Sequence, residues 1–323
     1  VSNHVYKPKA RMMHPNKKPV YLSDKDLKEL NIQPSEVANA IESALIAKAN
    51  GKLHTAPKSA ILPGDGRYAM STLAVGDDGF IVTKQVTVCP KNLENGLPAI
   101  NGAIMVLDAQ TGILQAILDA NWITAVRTAA LSAVAARRLA VSNAQSVAFV
   151  GAGVQAHSHL AAYAELFPLK SIYVFGRGKS NIEKLCKNAS KMGLEAKICT
   201  DAKDALSNAD LVVTSTTLDF STKPFLDARW LKPNAFATIT DACIPWIPKS
   251  MKAFQTIVVD DRKQEYESDK PMLPYDRITC DLTELVAKNV GTVSHGKLAA
   301  FAFRGISLGD YAAAVLAVQR AGK

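Results

Sequence analysis

No apolar run in this chain approaches the ~20 residues that a helix needs to cross a bilayer. The start carries Lys7, Lys9, Arg11, Lys17 and Lys18 around no apolar core, so it does not read as a secretory signal but as a poorly ordered basic arm. The five cysteines are widely spaced, odd in number and include no C-x-x-C pair. They suggest neither a disulfide framework nor a zinc site, and the expected compartment is reducing and cytoplasmic. The six histidines form no metal pattern, and His157 and His159 stand two apart, which does not place them side by side on a helix. Aromatics are few and not interleaved with the lysines. A formal charge of +9 therefore does not indicate nucleic acid and suits anionic small molecules instead. Internal repeats and low-complexity tracts are absent.

What is present fits a globular chain. The 323 residues allow two domains of ordinary size, and 48% hydrophobic with 21% charged residues is a globular composition. Residues 20 to 50 read as a short strand, Pro19 to Leu22, a helix capped by Ser23, and a second helix from Pro34. From 53 to 118, short β-rich runs alternate with turns. Asp78-Gly79 and Thr111-Gly112 are hairpin punctuation, so an antiparallel sheet flanked by helices is expected. An alanine-rich helix, small on several faces and therefore buried, starts near Asn121. From Ser146 the pattern alternates strand and helix, with SVAFV, SIYVF, AKICT, LVVTS, FATIT and TIVVD as strands. This alternation predicts a parallel, doubly wound sheet. The last helix, from Leu308, is expected to pack back on the first half.

The stretch VAFVGAGVQAHSHL, residues 147 to 160, holds the most specific pattern. A short apolar strand stops at Gly151, Gly153 follows, and Ala156 completes G-x-G-x-x-A before a helical segment. The first glycine allows the tight turn, the second lets the backbone approach a pyrophosphate, and the small third residue lets helix and strand pack. The pyrophosphate would meet free N–H groups at the helix start, around Val154 and Gln155. After the second strand, SIYVF, no acid occurs until Glu183. Arg177, Lys179 and Ser180 form a basic loop there, which suits a 2′-phosphate and favours NADP(H) over NAD(H).

Ligands of open α/β sheets bind beyond the carboxyl ends of the strands. Asp241 ends one strand and Asp260-Asp261 another, each readable as an acid/base or as a turn residue. Thr214 to Thr217 end a third, where Thr216 could line the cofactor channel. Lys84 stands among valines on one face of FIVTKQVTV, and Arg127 interrupts a nearly uncharged helix. A cation in an apolar setting must pair, snorkel or hold an anion, and the two together could clamp a carboxylate.

Five ordered stretches resemble the ornithine cyclodeaminase/mu-crystallin family: TKQVTVCPKN around Lys84, ITAVRTAALSA (123 to 133), VGAGVQA (150 to 156), ITDACIPW (239 to 246) and FRGISLGDYAAA (303 to 314). The resemblance implies a Rossmann domain over residues 121–303. It also implies an α+β substrate and dimerisation domain over 1–120 plus 304–323, and a homodimer. It implies chemistry on an imine of an α-amino acid: NADPH-dependent reduction of a cyclic ketimine such as pyrroline- or piperideine-2-carboxylate. The alternatives are ornithine or lysine cyclodeamination and a mu-crystallin-like NADP-dependent binding protein. By resemblance, Lys84 and Arg127 hold the substrate carboxylate and Asp241 is the acid/base. Gly151, Gly153 and Gln155 form the cofactor turn, and Thr128 contacts a phosphate. Where the family has an arginine after a proline, this chain has Pro57-Lys58, which keeps the charge but not the bidentate fork.

Overall fold

The structure, a computed structural model, describes residues 18–218, 220–291 and 293–322. The basic arm lies outside the described residues, Lys18 excepted. The first half contains β1 (Val20–Leu22), α1 (Asp24–Glu29), α2 (Pro34–Ala49), β2 (Leu53–Thr55), β3 (Ser59–Ile61), β4 (Tyr68–Gly76), β5 (Phe80–Val88), β6 (Ile100–Asp108) and β7 (Leu114–Asp119). Ser23 caps α1 as expected: its hydroxyl accepts from Asp26 N, and the Asp26 carboxylate accepts from Ser23 N. The strands form one sheet in the order β1-β7-β6-β5-β4-β2, with β3 also on β4. Its pairings are antiparallel except for β1, which runs parallel to β7. Strands β2 and β3 were not expected; three residues each are too few to show alternation.

The alanine-rich helix α3 (Ala120–Leu139) comes next, buried over most of its length. Its small side chains let it lie between the two sheets, against β5 and β6 on one side and β12 and β15 on the other. The second half runs β8 (Ser146–Val150), α4 (Val154–Leu166), β9 (Ser171–Phe175), α5 (Lys179–Lys191), β10 (Glu195–Ile198), α6 (Ala202–Ser207), β11 (Leu211–Thr214), β12 (Phe236–Ile239), β13 (Phe254–Val259), α7 (Arg262–Tyr266), β14 (Cys280–Asp281), α8 (Leu282–Lys288), β15 (Leu298–Ala302) and α9 (Ser307–Ala321).

These strands form a parallel sheet in the order β10-β9-β8-β11-β12-β15-β13-β14. The chain winds outward from β8 one way and from β11 the other, so the doubly wound expectation holds. Both faces are covered. Val147 and Phe149 of β8 enter the core shared with α3, α4 and α9, while Ala148 and Val150 enter a second core with α6. Burial on both faces explains the continuous apolar runs that marked the strands. Strand β15 was not anticipated, because LAAFA has no β-branched residue, yet it fills the gap between β12 and β13.

Two features place the polar groups of the molecule. Val150, Thr214, Ile239, Ala302 and Val259 are cross-strand partners in one transverse row. Five chain segments therefore leave the sheet at one level. Helix α9 packs on α2, α3, β4 and β5, as expected of the last helix. Gly309 allows its close approach to α3: a Cβ there would lie 3.1 Å from Leu131 Cδ1 and 3.2 Å from Arg127 Cδ.

The face of the first sheet turned away from α3 and α9 has little cover. Tyr21, Ile117, Met105, Thr83 and Leu73 form one cross-strand row on it. Leu107, Ile81 and Val75 form a second. Tyr21, Met105 and Leu73 are exposed. Among the described residues no helix is long and apolar enough to cross a membrane.

Candidate functional site

The glycine turn stands where the sheet switches winding direction. Gly151 has φ +97°, and a Cβ on it would sit 2.6 Å from the Ser215 carbonyl oxygen at the end of β11. Both conformation and space thus demand glycine. Gly151 N donates to Phe175 O at 2.9 Å, tying the ends of β8 and β9 together. Gly153 is the N-cap of α4, with nothing within 4 Å of where its Cβ would stand. Val154 beside it is exposed, and Ala156 is fully buried against the sheet. Gln155 Oε1 is buried with no partner. An open glycine cradle at a helix N-terminus fits a pyrophosphate.

His159, one turn into α4, fastens this turn to α3. Burial pushes its imidazole down to about 4, so the ring is neutral. Nδ1 donates to the Gln155 carbonyl at 2.8 Å, which leaves Nε2 to accept from Ser132 Oγ at 2.9 Å. The Arg177 loop comes after β9, next to the turn: a Cβ on Gly176 would stand 3.8 Å from Gly151 Cα. Arg177, Lys179 and Ser180 are exposed, and Arg177 has no ion pair among the described residues.

Beyond the same strand ends lies a cluster of buried charges. Lys84 is 1% exposed and reaches Asp310 Oδ1 at 2.7 Å. Arg127 Nε lies 3.0 Å from that same oxygen, out of line for a hydrogen bond, and its Nη1 has no partner. Gly305, with φ +93°, leaves room for the guanidinium, since a Cβ there would approach Nη1 to 2.8 Å. Thr72 Oγ1 donates to Asp310 Oδ2 at 3.1 Å. Burial alone would raise the Asp310 carboxyl, but Lys84 and Arg127 hold it below its ordinary value. Burial lowers Lys84 to about 8 against the pull of Asp310. It lowers Lys58 to about 8 as well, helped by Arg127 and opposed by Asp260 and Asp310. Lys58 Nζ donates to Arg304 O at 2.7 Å.

Asp260, fully buried, accepts from Gly305 N at 2.8 Å through Oδ2, while Oδ1 has no partner. Burial lifts its carboxyl to about 6, against the nearby Lys58. Arg304 is answered separately by Glu265 at 2.6 Å.

Asp241 projects just past β12. It is fully buried, and Oδ1 accepts from Thr214 Oγ1 at 3.0 Å. Oδ2 accepts from both Thr216 N and Thr216 Oγ1 at 3.1 Å. Burial lifts this carboxyl to about 6, and the three hydrogen bonds restrain the rise. Ala242 and Cys243 come next in the chain with φ +53° and +59°, a sharp left-handed corner that turns the backbone away and leaves the carboxyl at the strand end. Burial and the charge of Asp241 keep the Cys243 thiol protonated.

Lys58, Lys84 and Arg127 thus share one cluster, while the glycine turn and Asp241 stand at the same row of strand ends. Two expected cofactor ligands are engaged elsewhere. The backbone N–H and hydroxyl of Thr216 both serve Asp241, and the Thr128 hydroxyl donates to Thr124 O at 2.7 Å within its own helix. Sequence reasoning missed Asp310. The signal was present in SLGDYAAAVLAV, a charge in an apolar helix, by the same logic that marked Arg127.

The model of the ornithine cyclodeaminase/mu-crystallin family matches residues 17–322. A ketimine reductase mu-crystallin from Rattus norvegicus is 31% identical over 211 residues, which cover 64% of this chain and 66% of that protein. The Delta(1)-pyrroline-2-carboxylate reductase of Thermococcus litoralis, solved with NADH and L-proline, superposes with a TM-score of 0.84 at 24% identity, covering 94% of this chain and 97% of that one. An archaeal alanine dehydrogenase dimer with bound NAD gives 0.83 at 24% identity, covering 94% and 96%.

Gly151→Ala should place a methyl group against the Ser215 carbonyl and cost about 1–3 kcal/mol of backbone strain. A lowered Tm and a weakened fluorescence titration with a nicotinamide dinucleotide are expected. Unchanged affinity would show that the turn does not hold a pyrophosphate.

Proposed function

Since the chain belongs to the ornithine cyclodeaminase/mu-crystallin family, we propose that it is an NAD(P)-dependent enzyme that reduces the C=N bond of a small α-imino acid to the amino acid. A cyclic ketimine such as pyrroline-2-carboxylate or piperideine-2-carboxylate is the substrate class. One observation carries the reading: a buried carboxyl lifted to about 6 and a cluster of three cations stand at the same strand ends as an open glycine turn. The activities for which the rat protein and the Thermococcus structure are named agree with it.

In this reading residues 121–303 bind the cofactor, while 1–120 with 304–323 bind substrate and a second copy of the chain. Gly151, Gly153, Val154 and Gln155 hold the pyrophosphate. Arg177, Lys179 and Ser180 hold the 2′-phosphate, so NADP(H) is preferred over NAD(H). When bound, the cofactor supplies the two electrons of the reduction.

The protein's own residues prepare the substrate. Lys58, Lys84 and Arg127 take its carboxylate, and the unpartnered Nη1 of Arg127 is a free donor for one of its oxygens. Asp241 places its proton on the imine nitrogen. Protonation makes the neighbouring carbon more electrophilic, and the carboxylate left behind stabilises the cation it has made. Thr214 and Thr216 fix the carboxyl in place and stabilise that charged form. Surroundings that raise the carboxyl to about 6 keep a proton available near neutral pH.

The uncovered sheet face supports a homodimer. Its apolar rows, with Tyr21, Met105 and Leu73 exposed, suit burial against a second copy.

A panel of cyclic and linear imino acids assayed with NADPH and NADH tests the reading. Oxidation of NADPH with at least one imine is expected. Ammonia release from ornithine or lysine without net cofactor change would instead identify a cyclodeaminase. Asp241 holds its proton below about pH 6. The kcat/KM for reduction should therefore fall as pH rises through that value, and the reverse oxidation should rise through it. Asp241→Asn should lower turnover by about 10²–10⁴-fold and leave NADPH affinity unchanged. Arg177→Ala should raise the KM for NADPH about tenfold, the worth of a charge-assisted hydrogen bond, and leave that for NADH in place. Met105→Lys should halve the sedimenting mass, and an unchanged mass would place the dimer contact elsewhere.

A further inference from the structure

The cluster contains three cations, half-buried Lys58 with buried Lys84 and Arg127, and two buried carboxylates, Asp260 and Asp310. The adjacent Arg304 and Glu265 pair with each other and cancel. The cluster is left with one unanswered positive charge. The unanswered charge has a place as well as a sign, because Arg127 Nη1 is buried and without a partner. Asp310 is the residue that brings the count down. Its single oxygen Oδ1 faces both Lys84 Nζ at 2.7 Å and Arg127 Nε at 3.0 Å.

Without Asp310 the cluster would carry two surplus charges and match a dianion. With it, the match is to one carboxylate, while Asp241 serves the nitrogen end through the proton that the two share. A buried charge cluster discriminates by the charge it leaves unbalanced, because an extra ligand charge there cannot be screened by water.

We propose that Asp310 makes this site selective for substrates with a single carboxylate, by cancelling one of the three positive charges of the cluster. The inference rests on the reading that the cluster holds the substrate carboxylate, but it concerns binding and can be tested apart from turnover. Two flat, unreactive acids of one ring size, pyrrole-2-carboxylate and pyrrole-2,5-dicarboxylate, would be titrated calorimetrically into the NADPH-loaded full-length protein. The native chain should prefer the monocarboxylate by about tenfold or more, the effect of one uncompensated charge at close range.

Asp310→Asn should shift that ratio toward the dicarboxylate by about tenfold. The double variant Lys84→Met with Asp310→Asn removes one charge of each sign, restores the net charge and should recover the monocarboxylate preference. It also spares the fold an unpaired buried lysine. A native chain that binds both acids equally, prefers the dicarboxylate or binds neither would overturn the inference. So would a double variant that behaves like the single one. If no imine is reduced while the binding ratio holds, the proposed reaction fails and the charge selectivity stands.

Discussion

A single carboxylate oxygen, Asp310 Oδ1, holds the two halves of this molecule to a common geometry. It meets Lys84 from β5 and Arg127 from α3, and it arrives on α9. None of the three charges can be left alone at such depth. Removing one partner of a buried pair typically costs about 3–5 kcal/mol, because the remaining charge has lost its water without gaining an answer. The contact is weak evidence of net stability, since apolar side chains could fill the same space. It is stronger evidence of specificity. The contact brings α9, α3 and β5 to one point, and Gly305 and Gly309 lack the side chains that would crowd Arg127 there.

The second sheet contributes alignment. Its parallel strands end in one transverse row, so residues one or two positions further on emerge together. That is how Gly151, Ser215, Asp241 and Asp260, far apart in the chain, come to one edge. The edge is dry enough to lift both aspartates to about 6. Yet Thr214 and Thr216 give Asp241 three donors, while Asp260 has one backbone donor and a bare oxygen. The same residue type at the same kind of position is thus fixed in one case and partly unsatisfied in the other.

Much of the fold and site was legible in the chain because the informative residues contradict their surroundings. A lysine among valines, an arginine in an alanine-rich helix and glycines at a strand end each break a local pattern, and all stand at the row of strand ends or in the cluster beyond it. The doubly wound sheet was legible from its alternation. What escaped was whatever depends on a distant partner. Asp310 lies 226 residues from Lys84, and nothing local says that its carboxylate turns inward. Strand β15 lacks the branched residues that mark a strand, and only its place between β12 and β13 makes it one. Thr216 read as a lining of the cofactor channel, and nothing local says that its N–H and hydroxyl both turn to Asp241.

Strand β5 has a consequence of its own. Alternation turns Val82, Lys84 and Val86 inward to the charge cluster and Ile81, Thr83 and Gln85 to the opposite face, which has little cover. The charge cluster is therefore backed by a wall one backbone thick. Whatever flattens, twists or stiffens that wall from outside has a single layer of backbone to cross before it reaches the lysine within.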